Sequence, residues 1–214
     1  QLRPAEQLLD RRWEMECPNC GKQLAPAPTS EEKPLFPTSV YAVTKQDQEQ
    51  FCLAVGRSYG IPAVALRYFN VYGTRQALSN PYTGVCAIFS ARLLNGNRPM
   101  VFEDGEQSRD FVHVSDIVQA NLLALESDRA NYQAINVGTG RATSVRAVSR
   151  LLAEGLGLEL EAEIVAKYRE GDIRHCVADI SKARALLGYE PKVSLERGIP
   201  ELLWWVRAQV AQDQ

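Results

Sequence analysis

Apolar residues follow two periodicities along the chain, and each predicts a type of element. In the stretch 38–59, Phe51, Val55 and Tyr59 stand four positions apart, which predicts a helix whose apolar stripe faces a core. Residues 64–69 are apolar nearly throughout, as in a strand buried on both faces of a parallel sheet. A helix followed by such a strand predicts one layer of a doubly wound α/β fold.

The rest of the chain alternates in the same way between helix and strand patterns. Further helices are predicted at 85–94, 116–126, 144–154 and 194–210, and further strands begin near Met100, Gln133 and Ala162. Thr143 is suited to cap the helix 144–154. The adjacent Trp204 and Trp205 of the last helix are more typical of a core than of a stacking platform.

Composition places the chain among ordinary globular proteins. Of its 214 residues, 45% are hydrophobic and 23% are charged, and the net charge is −2. This balance argues against nucleic acid or an acidic membrane as the main partner, and no apolar run approaches the ~20 residues of a membrane span. The cysteine count is odd, and Cys52, Cys86 and Cys176 stand singly among apolar residues. Reduced thiols and a cytoplasmic location are therefore expected.

Tyr41 and Lys45 stand four residues apart at the head of the helix predicted at 38–59. Side chains at this spacing share one helix face, with Cβ atoms roughly 5–6 Å apart. A neighbouring ammonium favours the phenolate of a tyrosine, so the pair can make Tyr41 a proton acceptor at neutral pH. A solvated helix face that carries the same two residues is the alternative.

The residues after this helix carry longer motifs. Residues 61–73 read Ile-Pro-Ala-Val-Ala-Leu-Arg-Tyr-Phe-Asn-Val-Tyr-Gly, and residues 105–116 match Gly-x-x-x-Arg-Asp-Phe-x-His-Val-x-Asp at every position. With the Tyr-x-x-x-Lys pair, the chain resembles, from about Pro34 to its C-terminus, the extended short-chain dehydrogenase/reductase family, and within it the NAD-dependent nucleotide-sugar epimerases and dehydratases. The resemblance implies an α/β fold: part of a doubly wound parallel, Rossmann-like sheet that lacks its N-terminal half, plus a small α/β substrate-binding domain.

This resemblance also implies a domain organisation. Residues 1–37 are expected to be an N-terminal remnant with a Cys-x-x-Cys insert and a linker, and 38–73 the remaining helix and strand of the cofactor domain. Residues 74–214 are expected to form mainly the nucleotide-sugar-binding domain, with 114–140 packing back on the Rossmann part. Nothing before Tyr41 matches the family's glycine-rich pyrophosphate turn, so we expect a C-terminal portion that is inactive alone.

The family resemblance assigns catalysis to Tyr41 and Lys45. In the family the tyrosine takes the proton of the sugar 4-hydroxyl as hydride passes to NAD, and the lysine bonds the nicotinamide ribose. The transient 4-keto sugar then turns over and takes the hydride back on its other face. Phe69 and Val71, at the end of the following strand, are implied to contact NAD together with Tyr41 and Lys45.

The implied partner is a nucleotide-diphosphate sugar. By the family motifs its contacts are Asn70, Asn80, Val85, Arg109, Arg169 and Asp172. We expect Arg109 and Arg169 to converge on the pyrophosphate, because a planar guanidinium pairs two oxygens at once. A surface ion pair with Asp110 is the alternative for Arg109, and a turn-forming asparagine is the alternative for Asn70.

Two other motifs suggest chemistry that we do not expect them to perform. The turn Gly138-Thr139-Gly140 mimics a dinucleotide fingerprint, but it lacks the third glycine and lies downstream of Tyr41. His113 could be catalytic, yet in this family pattern a satisfied core histidine is expected.

Cys17 and Cys20 form a Cys-x-x-Cys-Gly knuckle, which is half of a tetrahedral zinc site. A zinc site needs a second pair of ligands, and His113 and His175 are far away in sequence. An inserted loop with two free thiols and no metal is therefore the expectation, with zinc as the alternative.

The whole protein is thus expected to be an isomerase, namely an NAD-dependent UDP- or dTDP-hexose 4-epimerase, and a homodimer. Two alternatives remain open. One is a nucleotide-sugar 4,6-dehydratase, which would need an Asp-Glu pair near an upstream Ser or Thr. The other is a truncated fragment that binds a nucleotide sugar without turnover.

Overall fold

The computed structural model describes residues 3–78, 84–169 and 171–209. Its helices are α1 (Ala5–Leu9), α2 (Val40–Tyr59), α3 (Val85–Leu94), α4 (Val114–Glu126), α5 (Val145–Leu156), α6 (Ser181–Leu187) and α7 (Leu195–Arg207). Its strands are β1 (Ala65–Tyr68), β2 (Asn70–Tyr72), β3 (Met100–Val101), β4 (Ser108–Arg109), β5 (Phe111–His113), β6 (Ala134–Val137), β7 (Thr143–Ser144), β8 (Glu163–Ile164) and β9 (His175–Cys176). Of the described helices, none combines the length and apolar character that crossing a membrane requires.

Parallel strand pairs form the centre of the molecule. β1 pairs in parallel with β6, and after Phe69 the chain continues into β2, which pairs in parallel with β5. β3 pairs in parallel with β8, while β4 lies between antiparallel β7 and parallel β9. These pairs, with helices packed on them, confirm the predicted class: a mixed α/β fold containing part of a doubly wound parallel sheet.

Two clusters of buried apolar side chains hold the elements together. The first lies between α3, α5 and α7 and includes Tyr72, Phe111 and Leu202. The second lies beside the parallel strands and includes Ile135 and Tyr189. Because β5 contributes to both clusters and β2, its parallel partner, contributes to the first, packing fixes the strand ends that carry the motif residues.

α2 begins and ends where its sequence predicts. The Ser39 hydroxyl accepts a hydrogen bond from the Ala42 amide at 3.1 Å, and Gly60 ends the helix in the left-handed region with φ of 65°. The helix approaches the sheet closely at Gly56, where an added Cβ would lie 2.9 Å from the Ala63 Cβ. A larger residue at 56 would therefore push α2 away from β1.

The apolar stripe predicted on α2 is wrong for this structure. Phe51 and Tyr59 are 70% and 76% exposed, and the buried residues of the helix are Leu53 and Gly56. The helix packs on β1 through the side that carries Leu53 and Gly56, and no described element covers the face that carries Phe51. Spacing alone identified a helix with apolar residues but not the face that is buried.

Two smaller predictions also need correction. Ser144, not Thr143, caps α5: its hydroxyl accepts from the Ala147 amide at 3.2 Å. Trp204 is 74% exposed, whereas its neighbour Trp205 packs against the first core cluster. Adjacent residues on a helix point about 100° apart, so they rarely share one buried face.

Residues 3–37 are tied to the rest of the fold rather than extended from it. Glu16 and Gln23 bridge across a short hairpin, and Thr29 bridges Ala178 in parallel. Thr29 donates its amide to Val177 and accepts from the Asp179 amide, at 2.7 and 2.9 Å. The N-terminal segment therefore packs against the strand region around β9.

Candidate functional site

Tyr41 and Lys45 lie on the first turns of α2 and face the same side of the helix. The Lys45 ammonium is 5.5 Å from the centre of the Tyr41 ring, and it also donates to the Gln48 side chain at 3.3 Å. Tyr41 is 51% exposed. The predicted juxtaposition of phenol and ammonium is present, and both groups can be reached from solvent.

A bidentate ion pair that the sequence did not reveal ties this helix to the sheet. Arg67 of β1 donates to both carboxylate oxygens of Glu49 at 2.6 and 2.7 Å, and its third nitrogen donates to the Glu31 carbonyl at 3.1 Å. The hydrogen bond to Glu49 raises the pKa of Arg67 above its usual value. Glu49 is one helical turn beyond Lys45, so the pair sets the rotation of α2 relative to β1.

Phe69, Asn70 and Val71 lie where β1 gives way to β2. The Phe69 amide donates to Val137 at 3.1 Å, and the Asn70 amide donates to the Asp110 carbonyl at 2.9 Å. Val71 is 38% exposed. Asn70 belongs to β2, so its backbone is that of a strand residue rather than a turn residue.

Arg109 pairs with Asp172, another residue predicted to bind substrate. Its Nη2 lies 3.0 Å from an Asp172 carboxylate oxygen, and its Nη1 donates to the Ser108 and Arg174 carbonyls at 2.9 and 3.1 Å. The Arg109 side chain is 16% exposed and that of Asp172 is 43% exposed. The structure thus brings together two residues that are predicted to bind substrate and are 63 positions apart in sequence.

Asp110, the alternative partner of Arg109, is fully buried and engaged elsewhere. Its carboxylate accepts hydrogen bonds from the amides of Thr139, Gly140 and Ala178 at 2.8, 2.9 and 3.1 Å. An added Cβ at Gly138 would lie 2.6 Å from one of its oxygens. The turn that mimics a phosphate-binding fingerprint is therefore occupied by a carboxylate of the protein itself.

The other predicted substrate residues are more scattered. The Arg169 guanidinium stacks over the Phe102 ring, 4.9 Å from its centre. Val85 begins α3 and packs against the first core cluster. Asn80 lies outside the described residues. Arg109 and Arg169 have different partners here, so their convergence on one pyrophosphate stays a prediction.

A buried charge network lies behind Arg109 and joins the N-terminal segment to the strand region. Its members are Arg3, Glu14, Glu103, Asp104, Arg174 and His175. Arg174 is at its centre and donates to Glu14, Glu103 and Asp104 at distances between 2.6 and 2.9 Å. His175 contacts Glu14 through Nε2 at 2.9 Å and the Ser108 hydroxyl through Nδ1 at 2.8 Å.

Arg3 connects this network to Asp172, the partner of Arg109. It donates to both oxygens of Glu103 at 2.7 and 3.0 Å, and to the backbone carbonyl of Asp172 at 3.1 Å. Two of the three acceptors of the Arg109 guanidinium, the Asp172 carboxylate and the Arg174 carbonyl, thus belong to a segment that is fixed from behind by buried charges. Burying charged side chains is costly unless each of them is fully paired, so the pairing within this network keeps the segment in place.

The network shifts the pKa values of its members. Burial is the largest single influence and would raise the pKa values of Glu14 and Asp104, but the hydrogen bonds and charge of Arg174, joined by His175 for Glu14 and by the Glu106 amide for Asp104, together leave both pKa values below their usual range. Burial alone would lower the pKa of Arg174, but hydrogen bonds to Asp104 and Glu14 raise it. All three groups are therefore charged at neutral pH.

His113 is buried as expected, but it is only partly satisfied: its Nε2 has no hydrogen-bond partner in the described part of the chain and lies 3.7 Å from a Glu201 carboxylate oxygen. Its Nδ1 accepts from the Ser115 amide at 3.3 Å and so caps α4, and its ring lies edge-on to Tyr72. Asp116 does not cap this helix; its carboxylate accepts from the Lys192 and Val193 amides. Helix capping by histidine is uncommon, and residues of the types of Ser115 and Asp116 are the usual N-caps.

All five cysteines are free. Cys86 is buried in the first core cluster, where burial raises its pKa to about 12 and keeps it inert. Cys17 differs: hydrogen bonds from the Asn19 and Cys20 amides to its sulfur lower its pKa. Within the described ranges 3–78, 84–169 and 171–209, no three His, Cys, Asp or Glu residues are grouped so that they could hold a metal ion.

Comparisons with known proteins agree with this geometry. The family model described as GDP-mannose 4,6 dehydratase matches residues 21–202. The dTDP-L-rhamnose 4-epimerase of Burkholderia thailandensis is 36% identical over 190 residues, which cover 89% of this chain and 52% of that protein. The UDP-glucose 4-epimerase of Thermotoga maritima, solved with UDP-glucose, is 40% identical with a TM-score of 0.79, over 87% of this chain and 59% of that one. The Thermus thermophilus UDP-glucose 4-epimerase, solved with NAD, is 33% identical with a TM-score of 0.76, and the match covers 92% of this chain and 61% of that one.

The parallel sheet, the helix with Tyr41 and Lys45, and these matches define the class of protein as an extended short-chain dehydrogenase/reductase. Within that class, the chain belongs to the nucleotide-sugar epimerase and dehydratase family that the GDP-mannose 4,6 dehydratase model describes. The chain spans about half the length of the curated relatives it matches.

Proposed function

We propose that this chain carries the catalytic tyrosine and the nucleotide-sugar site of an NAD-dependent nucleotide-sugar 4-epimerase. The observation that carries the proposal is the 5.5 Å approach of the Lys45 ammonium to the Tyr41 ring at the exposed start of α2. A phenol held beside a cation is suited to accept a proton near neutral pH. The 4-epimerases named above, which have the same fold, support the choice of reaction.

Tyr41 and Lys45 fit the nicotinamide-ribose end of NAD, because phenol and ammonium are both exposed at the start of α2, and α2 packs on β1, the strand that leads to Phe69 and Val71. When bound, NAD supplies the acceptor for a hydride from sugar C4 and returns that hydride. Tyr41 takes the proton of the 4-hydroxyl and later gives it back. Lys45 bonds the ribose and stabilises the phenolate. The turn at 138–140 takes no part, since its amides bind Asp110.

The proposed substrate is a UDP- or dTDP-hexose. Arg109 and Arg169 are the proposed pyrophosphate contacts, Asp172 the ribose contact, and Asn70 a sugar contact; Val85 and Asn80 are proposed to border the base. The salt bridge between Arg109 and Asp172 supports this assignment, because it puts a cation for the phosphates beside a carboxylate for a hydroxyl.

A 4,6-dehydratase is the second candidate, favoured by the name of the matching family model. The two reactions differ in product: an epimerase leaves the mass of the nucleotide sugar unchanged, whereas a dehydratase removes one water. Mass spectrometry of the product formed from UDP-glucose or dTDP-glucose by the whole protein separates them. Binding of the sugar nucleotide without any product would instead favour a non-catalytic fragment.

The proposal is tested by Tyr41→Phe in the whole protein, with Tyr59→Phe, at the exposed far end of the same helix, as the matched control. Removing a positioned proton acceptor typically lowers the rate 10²–10⁴-fold, while the ring of the phenylalanine still fills its place. We expect that loss in kcat for Tyr41→Phe, with the dissociation constant of the nucleotide sugar nearly unchanged, and full activity for Tyr59→Phe. A Tyr41→Phe enzyme that kept more than about a tenth of the rate would exclude this base.

A further inference from the structure

Three ionisable side chains follow one another along α2 at intervals of one helical turn: Tyr41, Lys45 and Glu49. Neighbours at this spacing share a helix face, with Cβ atoms roughly 5–6 Å apart. The Lys45 ammonium therefore has a phenol on one side and a carboxylate on the other. It lies 5.5 Å from the centre of the Tyr41 ring and donates to the Gln48 side chain. Two groups of α2 are thus within reach of one cation, and they would compete for it.

The carboxylate of Glu49 is directed away from this competition. Both of its oxygens accept hydrogen bonds from Arg67 of β1, at 2.6 and 2.7 Å. The side chains of Glu49 and Arg67 are only 16% and 22% exposed, whereas Lys45 is exposed. A bidentate pair of this kind is both strong and fixed in direction. Glu49 is therefore turned toward the sheet rather than along the helix toward Lys45.

The guanidinium of Arg67 is held in place by the sheet. Its Nη1 donates to the Glu31 carbonyl at 3.1 Å, and Arg67 is paired in register with Asn136 of β6. The carboxylate of Glu31 accepts from the Asn136 amide at 2.8 Å. Among the described salt bridges, Arg67 takes part only in the one with Glu49. The sheet thus fixes the cation, and the cation fixes the carboxylate of α2.

We propose that Arg67 is a positioning residue for the catalytic pair of α2, because it holds Glu49 away from Lys45. Without Arg67, the free carboxylate would lie one turn from Lys45, a spacing at which opposite charges on a helix attract each other. The ammonium would then be shared with Glu49, and the added negative charge would disfavour the phenolate of Tyr41. This inference rests on the proposed function, in which Tyr41 accepts the proton.

The kinetic test compares Arg67→Met, Glu49→Gln and the double variant in the whole protein. We expect Arg67→Met to lower kcat about two- to fivefold at neutral pH, the size of effect that an exposed ion pair produces, with KM nearly unchanged. Glu49→Gln should keep its kcat, because a neutral amide does not compete for the ammonium. The double variant should therefore recover the rate that Arg67→Met loses. If the pair only fixed α2 mechanically, Glu49→Gln would be slowed as much as Arg67→Met, and the double variant would not recover.

Two further variants separate charge from loosening of the helix. Arg57→Met removes another link between α2 and the sheet region, the hydrogen bond to the Tyr132 carbonyl at 2.8 Å, without freeing a carboxylate, and it should keep its kcat. Arg67→Lys keeps a charge for Glu49, so it should retain most of the rate even if Arg67→Met folds poorly. The loss in Arg67→Met should be largest at acid pH and should shrink as the pH is raised, since the phenol then ionises with less help. An equal loss at every pH would contradict the proposal.

A crystal structure of the Arg67→Met chain tests the same inference without turnover. We expect the Lys45 ammonium within about 4 Å of a Glu49 carboxylate oxygen, the limit of a salt bridge. A Glu49 side chain that stayed against β1 and away from Lys45 would overturn the proposal, and so would an unchanged kcat in the Arg67→Met enzyme. The role of Tyr41 is decided separately by Tyr41→Phe, so failure of the epimerase proposal and failure of this inference give different results.

Discussion

One contact of Arg109, its salt bridge to Asp172, is of a kind that a phosphate could replace. Its salt bridge to Asp172 is open to solvent on the carboxylate side, since the Asp172 side chain is 43% exposed. Ion pairs of this kind contribute only about 0–1 kcal/mol. Releasing Asp172 therefore costs little, and a diphosphate with two adjacent charges would be a stronger partner for the same guanidinium.

Arg109→Ala should weaken binding of a nucleoside diphosphate to the whole protein by about ten- to a hundredfold, because each charge-assisted contact contributes roughly 1.5–3 kcal/mol. Arg169→Ala should have the same effect if both residues share the pyrophosphate. Arg109→Lys should recover binding only in part, since a point charge cannot form the bidentate pair. Calorimetric titration with UDP measures these changes.

Arg150→Ala is the matched control, since this arginine is exposed on α5 and pairs only with Glu154 among the salt bridges of the described residues. It should leave UDP binding unchanged. Normal binding by the Arg109→Ala protein would remove this residue from the substrate site while leaving the role of Tyr41 untouched.

The segment 172–176 is an element whose position depends on the N-terminal residues. Arg174 and His175 point toward Glu14, while the carbonyl of Arg174 faces Arg109. Glu14→Gln keeps the shape of the side chain but removes the charge that both partners contact. Since hydrogen bonds to charged groups contribute about 1.5–3 kcal/mol, we expect a loss of unfolding free energy in that range and weaker UDP binding.

Glu16→Gln, two residues away, is the control for this prediction. Glu16 pairs only with exposed Arg12 among the described salt bridges, so its change should affect neither stability nor binding measurably. Urea unfolding and UDP titration on the same preparations measure both quantities. Equal behaviour of the two variants would show that the network does not support the Arg109 segment.

At the scale of the whole molecule, the charge network makes stability depend on pH. Glu14 and Asp104 have pKa values below their usual range in the folded chain. A carboxylate of this kind stabilises the fold above its unfolded pKa, near 4 for both residue types, and loses that contribution as the pH falls through its folded pKa. The free energy of unfolding should therefore decrease as the pH is lowered below about 5.

The double variant Glu14→Gln with Asp104→Asn should be less stable at pH 7 and should lose less stability on acidification. Glu154→Gln, on the exposed face of α5, should leave the profile unchanged. Urea unfolding at a series of pH values gives the slopes. Parallel profiles for the unchanged chain and the double variant would contradict the assignment.

Features of the fold and of the site that depend on neighbouring residues could be predicted from the sequence, whereas those that depend on residues far apart in the chain could not. Local signals located the elements well: the helix predicted at 144–154 is Val145–Leu156, and the strand at 64–69 is Ala65–Tyr68. The family motif placed Tyr41 and Lys45 on a helix, which the structure has as α2, but the strand β4 that carries Arg109 was not predicted. The Arg174 network could not be predicted, because its partners are 70 and 160 residues away and only folding brings them together.

The Arg67–Glu49 pair could be predicted in part from the sequence. An arginine in an otherwise apolar strand requires a partner, because a half-buried charge is unfavourable when it is unpaired. That requirement was visible in the sequence, but several acidic residues could have met it. The burial of α2 was unpredictable for a related reason: periodicity gives the angle between side chains but not which neighbour covers them.

The exposed side of α2 has a consequence for the behaviour of the chain in solution. Val40, Val43, Phe51 and Tyr59 all face water along this helix, at exposures between 42% and 83%. A net charge of −2 gives little electrostatic repulsion between molecules. At the concentrations used for crystallisation or NMR spectroscopy, attraction between these surfaces would outweigh that repulsion. These side chains of α2 thus lower the colloidal stability of the chain, and polar substitutions at Phe51 and Tyr59 should raise its solubility.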